Sequence, residues 1–191
     1  MKVAVLCEFS GTVRDAFIRH GHDAISCDIL PTEAPGPHIQ ADLRTVDWSG
    51  YDLVVAHPPC THLAVSGARW WPAKLKEQVE ALEFVQWILD LPVPRIAVEN
   101  PIGKINTAIR KPDQIIQPWM FGHGETKATC LWLVNVPPLM VTVVDQGRHP
   151  AIHLLPPSED RWKKRSLTYP GIAEAMAHQW GCLPTMERMV A

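Results

Sequence analysis

The sequence predicts an α/β domain built on an open, doubly wound, mostly parallel sheet with helices on both faces. Three observations carry this. Short apolar runs alternate with segments of helical period along the first hundred or so residues. The connections between successive runs are long enough for the crossovers that parallel neighbours require. A length of 191 residues, 47% hydrophobic and 20% charged, is the size and composition of one globular domain.

Lys2 to Cys7 (KVAVLC) reads as a buried strand. Thr12 to His20 follows as a helix with Val13, Phe17 and Ile18 at helical spacing, ended by Gly21. Ala24 to Asp28 is a second strand and Asp52 to Ala56 a third. The next helix is expected from about Pro72 to Leu89, with Pro72 in its first turn and Leu75, Val79, Leu82, Val85, Ile88 and Leu89 along one stripe. Arg95 to Val98 forms the fourth strand, Gln114 to Gln117 and Cys130 to Val134 are further candidates, and Pro170 to Trp180 is a last helix stopped by Gly181. Residues 1–191 read as a single domain without a repeat, low-complexity tract or linker.

Composition excludes several classes. The net charge of −2 gives no global positive field, so any nucleic-acid binding must rest on a local patch. Five cysteines without a Cys-x-x-Cys pair or close Cys/His spacing indicate neither a disulfide framework nor a zinc knuckle. The longest apolar stretch, Cys130 to Val144, is broken by Asn135, Pro137 and Pro138 and cannot span a membrane. The start MKVAVLCEF lacks the pattern of a secretory signal, so a cytoplasmic protein is expected.

In open α/β sheets ligands bind outside the carboxyl ends of the strands. After the first strand stands Glu8-Phe9-Ser10-Gly11, a turn into a helix whose first N–H groups can face a ligand, although no glycine-rich dinucleotide or triphosphate loop is present. Asp28 ends the second strand, where an acidic side chain commonly holds a ribose; alone, it reads equally as a solvated or capping carboxylate. After the third strand comes His57-Pro58-Pro59-Cys60-Thr61, two prolines stiffening the chain before a thiol that on composition alone reads as a structural cysteine; His57 and His62 flank it, each more often a surface or core histidine than a base. Glu99-Asn100-Pro101 follows the fourth strand. A right-handed crossover makes the third and fourth strands neighbours, so Cys60 and Glu99 are expected to share one cleft as nucleophile and hydrogen-bonding carboxyl.

In this order the motifs resemble those of the DNA cytosine C5 methyltransferases, and the whole chain is similar to short bacteriophage proteins of that type. Phe9-Ser10-Gly11 matches the first cofactor motif, Asp28 the ribose-binding acid, Ala41-Asp42-Leu43 the third motif, Pro58-Pro59-Cys60 the nucleophile motif and Glu99-Asn100 the glutamate motif. The resemblance implies a Rossmann-like fold of the S-adenosylmethionine-dependent type. It also implies a cofactor site of Phe9, Ser10, Gly11, Asp28, Ile29, Asp42, Leu43 and Pro59, with Asp42 facing the adenine amine and Phe9 packed on its ring. Ile29 stands where an aromatic residue often stacks, and Glu8 where the family usually has an apolar residue. The catalytic set it implies is Cys60, Glu99, Asn100 and Lys127, the last being the one cation left in Glu125-Thr126-Lys127-Ala128-Thr129, where the family has two arginines that help hold the base.

The resemblance further implies DNA as partner, but without the separate target-recognition domain of full-length members. Between Val134 and Pro170 lie only about 35 residues, which include Arg148, Arg161, Trp162, Lys163, Lys164 and Arg165. A basic cluster around a tryptophan suits phosphate contact and base stacking, and reads equally as a solvated loop with the indole tucked inward. Weak specificity, a preference for single strands, or a partner protein supplying recognition would follow. The alternatives are modification of a free pyrimidine nucleotide or RNA, and a catalytically idle cofactor- or DNA-binding protein.

Overall fold

The computed structural model describes residues 1–184. The elements are β1 (Lys2–Leu6), α1 (Thr12–Arg19), β2 (Asp23–Asp28), β3 (His38–Gln40), β4 (Leu53–Ala56), α2 (Leu75–Leu89), β5 (Ile96–Pro101), α3 (Ile105–Ala108), β6 (Gln114–Ile116), β7 (Thr129–Val134), α4 (Ala151–Leu154), α5 (Arg161–Ser166) and α6 (Pro170–Gly181). Seven strands form one sheet in the order β3-β2-β1-β4-β5-β7-β6. All neighbouring pairs from β3 to β5 are parallel, and β7 runs antiparallel to both β5 and β6. The expected doubly wound, mostly parallel sheet is therefore present, with one reversed strand inserted near its edge. Because β1 lies between β2 and β4, the chain leaves it in opposite directions and a crevice opens at the carboxyl ends of β1 and β4.

Alternation along the strands builds a core on each face. Val3 and Val5 of β1 pack with Val13, Phe17, Met176 and Trp180 of α1 and α6. Ala4 and Leu6 of the same strand face Trp48, Val85, Ile88 and Trp132 on the other side. Each fully buried aliphatic or aromatic side chain contributes about 1.5–3 kcal/mol, so the sheet is secured from both sides.

The second long helix differs from expectation. It begins at Leu75, and Pro72 lies instead inside a 3₁₀ stretch, Val65–Ala73, that buries none of its residues. Leu75 and Val79, counted in the apolar stripe, are exposed, whereas Val85 and Ile88 are buried. Val85 and Ile88, the apolar residues that α2 buries, lie in its carboxyl half, and the apolar residues of its first turns stay at the surface. The three-residue strand β3, hidden among prolines, was not expected either.

A buried arginine joins two of these elements. Arg14 of α1 is fully buried and donates to the carbonyls of Ala34 (3.1 Å) and Pro35 (3.2 Å), to the hydroxyls of Ser26 and Thr32, and to the Asp15 carboxylate (2.8 Å). A guanidinium carries five N–H donors in a rigid fork, and here they hold the 32–37 loop against α1. Gly11 makes room for it: φ is +75° there, and a Cβ would lie 2.4 Å from the guanidinium.

Candidate functional site

The turn after β1 is set by backbone conformation. Cys7 adopts a left-handed φ of 56°, unusual for a residue with a Cβ, and this turns Glu8 back toward α1. The buried Glu8 carboxylate accepts from the backbone N–H of Val13 at 2.6 Å and of Arg14 at 3.1 Å. It thereby caps a helix whose own N-cap, Gly11, has no side chain to do so. The expectation that these helix-start N–H groups face a ligand is overturned for two of them: Glu8 takes both. Ser10 hydrogen-bonds Glu8 and Thr12 beside them, and Phe9 is buried.

The acidic candidates differ from one another. Asp28 sits half-buried at the end of β2, one oxygen accepting from the Leu30 N–H at 2.9 Å, and burial pushes its carboxyl up. Ile29 beside it is exposed, as no ring covers it. Asp42 caps the short turn Leu43–Thr45 and is gripped by the Arg44 guanidinium, which accounts for a carboxyl held down at about 2. Leu43 is buried in the core, a structural place rather than an open one.

The thiol loop is locked to the strand that bears the carboxylate: Glu99, Asn100 and Pro101, expected after the fourth strand, lie within β5, which pairing with β7 extends through them. Ala56 of β4 is paired with Val98 of β5, so the next residues, His57 and Glu99, lie side by side. His57 Nδ1 is 2.8 Å from Glu99 Oε2, and both side chains are about nine-tenths buried. Burial opposes ionisation of Glu99, but the His57 hydrogen bond and charge, with Lys127, outweigh it and hold the carboxyl below its ordinary 4.5. Asn100 donates to the Pro58 carbonyl at 2.6 Å, fixing the Pro58-Pro59 segment from behind. Gly103 completes the joint: the Lys104 N–H reaches Leu63 O at 2.8 Å, and a Cβ on Gly103 would lie 2.1 Å from that same oxygen. Cys60 is thus presented, solvent-exposed, from a loop anchored on β5. Desolvation by the surrounding protein and then the Glu99 charge push its thiol up, while Lys127 and Arg165 pull the other way.

Two small clefts flank this pair. One is lined by Cys7, Glu8, Phe9, Ser10 and His57, the other by Glu99, Lys127, Thr129, Tyr169 and Ile172. The strand of chain after α5 lies between them, with Thr168 in both walls. Lys127 donates to Leu167 O at 3.1 Å and sits 5.7 Å from the Tyr169 ring centre, while Thr129 is buried. Tyr169 in turn donates to Glu125 at 2.8 Å.

The basic cluster does not form one outward surface. Trp162 packs against Phe9, ring centres 5.9 Å apart, while remaining 57% exposed. Lys163 pairs with Glu33 and lies over the Phe9 ring. Arg165 acts electrostatically on Cys60, and Arg161 turns toward His153 O. Arg148 stacks 3.9 Å above Trp119 and donates to Asp145 and Gly147 carbonyls. Only Lys164 is simply exposed. Sequence reasoning missed Arg14, took Glu8 only as a departure from the first cofactor motif, and offered no signal that pairs His57 with Glu99, because that pairing comes from the register of β4 on β5.

No known protein-family profile matches the chain, and no curated protein does. Among solved structures it is similar to a candidate DNA modification methyltransferase encoded within a prophage of E. coli, with a TM-score of 0.50 and 13% identity over 76% of this chain and 52% of that one. The chain spans about half the length of that protein. The likeness establishes the fold, a methyltransferase-type α/β sheet; among the described residues no helix is long and apolar enough to cross a membrane.

Proposed function

We propose that this chain is an S-adenosylmethionine-dependent methyltransferase acting on C5 of cytosine in DNA through a covalent Cys60 adduct. The observation that carries this reading is the joint between an exposed thiol on a proline-stiffened loop and a buried, ionised Glu99 on the adjacent strand. The cleft beside Phe9 and Ser10, together with Asp28 at the end of the neighbouring strand β2, fits a nucleoside cofactor: a half-buried carboxylate suits ribose hydroxyls. Phe9, Ser10 and Asp28 would hold the cofactor, which supplies a methyl group on an electrophilic sulfonium. Asp42 would join them only by releasing Arg44.

Cytosine C5 is a poor carbon nucleophile. Addition of the Cys60 sulfur at C6 converts the ring into an enamine whose C5 can attack. An ionised Glu99 accepts from the exocyclic amine, and from N3 once N3 has taken the proton that the adding thiol gives up, stabilising charge as it develops. Asn100 holds the loop that carries Cys60. Lys127 offsets negative charge between Glu99 and Cys60.

DNA as the substrate rests on the motif resemblance and on cations near the clefts, with low sequence specificity, single strands or a partner protein accommodating the missing reader. The test is incubation with labelled cofactor and an oligonucleotide containing 5-fluorocytosine. A denaturant-stable adduct of the wild type, absent in Cys60→Ser, is expected; methyl transfer undiminished in Cys60→Ser would sink the mechanism.

A further inference from the structure

The surroundings of His57 are not those of an ordinary surface or core histidine. Its side chain is 9% exposed, its Nδ1 is committed to Glu99 Oε2 at 2.8 Å, and its Nε2 is buried without a hydrogen-bond partner among the described residues. His57 also lines the cleft formed by Cys7, Glu8, Phe9 and Ser10. A buried polar atom left unpaired costs free energy, and in a functional cleft it points to a missing ligand. With Nδ1–H held by a carboxylate, the lone pair of a neutral imidazole resides on Nε2, the arrangement that makes a histidine a directed base.

The order of groups along the site matches the order of atoms along one edge of cytosine. N3, the exocyclic amine and C5 follow one another on the ring; Glu99, His57 and the turn after β1 follow one another across the clefts. A base that presents its amine to Glu99 with its C5 edge running toward β1 would bring C5 toward His57.

We propose that His57 is the general base that removes the C5 proton, with Glu99 fixing its tautomer, an inference that rests on the C5 reading above. After C5 has received its new substituent, Nε2 takes the proton from C5. The C–H bonding pair becomes the C5–C6 double bond, the C6–S bond breaks, and its pair returns to the Cys60 sulfur as thiolate. Nδ1 keeps its bond to Glu99, so charge forms on the imidazolium next to a carboxylate already in place.

His57→Asn separates this role from a purely positioning one, because the Asn amide can donate to Glu99 near the Nδ1 place but offers no base at Nε2. Two readouts are needed. The first is adduct yield on 5-fluorocytosine DNA with cofactor, which requires addition and methyl transfer but no proton removal. The second is release of tritium to water from 5-tritiated cytosine DNA without cofactor, where the Cys60 adduct takes a solvent proton at C5 and the label must then be removed. General-base loss slows a step by about 10²–10⁴-fold. Tritium release lowered at least about 100-fold with adduct yield within about threefold of wild type is the expected result. Unchanged tritium release, or equal loss of both readouts, overturns the role of His57 and leaves the C5 reading standing. A wild type that forms no adduct overturns both. His57→Gln, which sets a polar but non-basic group nearer the Nε2 place, carries the same comparison if the Asn variant melts early.

Discussion

The parallel half of the sheet and the segment that lies across its carboxyl edge are held by different forces. β1, β4 and β5 are buried on both faces, and the loops after them are fixed by Asn100, Gly103 and the His57–Glu99 pair. The stretch through α5 to Thr168 buries no side chain of α5 and rests on a few contacts: Trp162 on Phe9, Lys163 with Glu33, and Leu167 O with Lys127. The groups proposed for chemistry therefore stand on the rigid half, whereas the weakly held segment borders the cleft proposed for the cofactor. Moving that segment costs little because it requires no disruption of the core.

The contrast is sharpest in the effect of single changes. Glu99→Gln should reduce methyl transfer by about 10²–10³-fold in single-turnover assays and also lower the melting temperature, because it removes the charge that pairs with His57. A loss below about tenfold would remove the carboxylate from the mechanism. Arg14→Met should lower stability by about 2–4 kcal/mol in urea unfolding, since it leaves the Ala34 and Pro35 carbonyls without their donor. An unchanged midpoint would mean that the 32–37 loop is secured by other contacts.

Acidity provides a third test. Because the Cys60 thiol is raised above 9.0, adduct formation should still be climbing at pH 9. A plateau near pH 7 would show that the bound complex supplies a thiolate earlier. Glu99 works in the opposite direction: its folded value lies below 4.5, so the stability it contributes is complete above that value and is lost as pH falls through the depressed one. The smallest effect belongs to the bordering segment. Glu33→Gln breaks a partly exposed ion pair and should change stability by less than about 1 kcal/mol, while speeding cofactor association in stopped-flow fluorescence of Trp162. An unaltered association rate would show that the segment does not limit entry.

The strands carrying β1, β2, β4 and β5 were legible because buried parallel strands read as short apolar runs, and the candidate groups were legible because they stand directly after those runs. The insertion of β7 between β5 and β6 was not, since a local pattern contains no information on which edge a late strand joins. Glu8 looked like a departure from the first cofactor motif; in place, it is the cap that lets a glycine-started helix begin. The basic run Arg161 to Arg165 looked like a surface for phosphates, but an amphipathic cation can lay its stem on an aromatic ring as readily as it meets solvent, and Lys163 does so on Phe9.

By itself the sequence determined the α/β class, the sites at which the chain leaves the sheet and the residue types offered there, because burial period and turn chemistry are local properties. Tertiary structure alone decided which offered groups meet. His57 and Glu99 are 42 residues apart in the chain and hydrogen-bonded only through the register of β4 on β5, while Lys163 and Glu33 meet only through the folding of α5 across the cleft. Such contacts depend on the geometry of the whole sheet, and no window of sequence contains it.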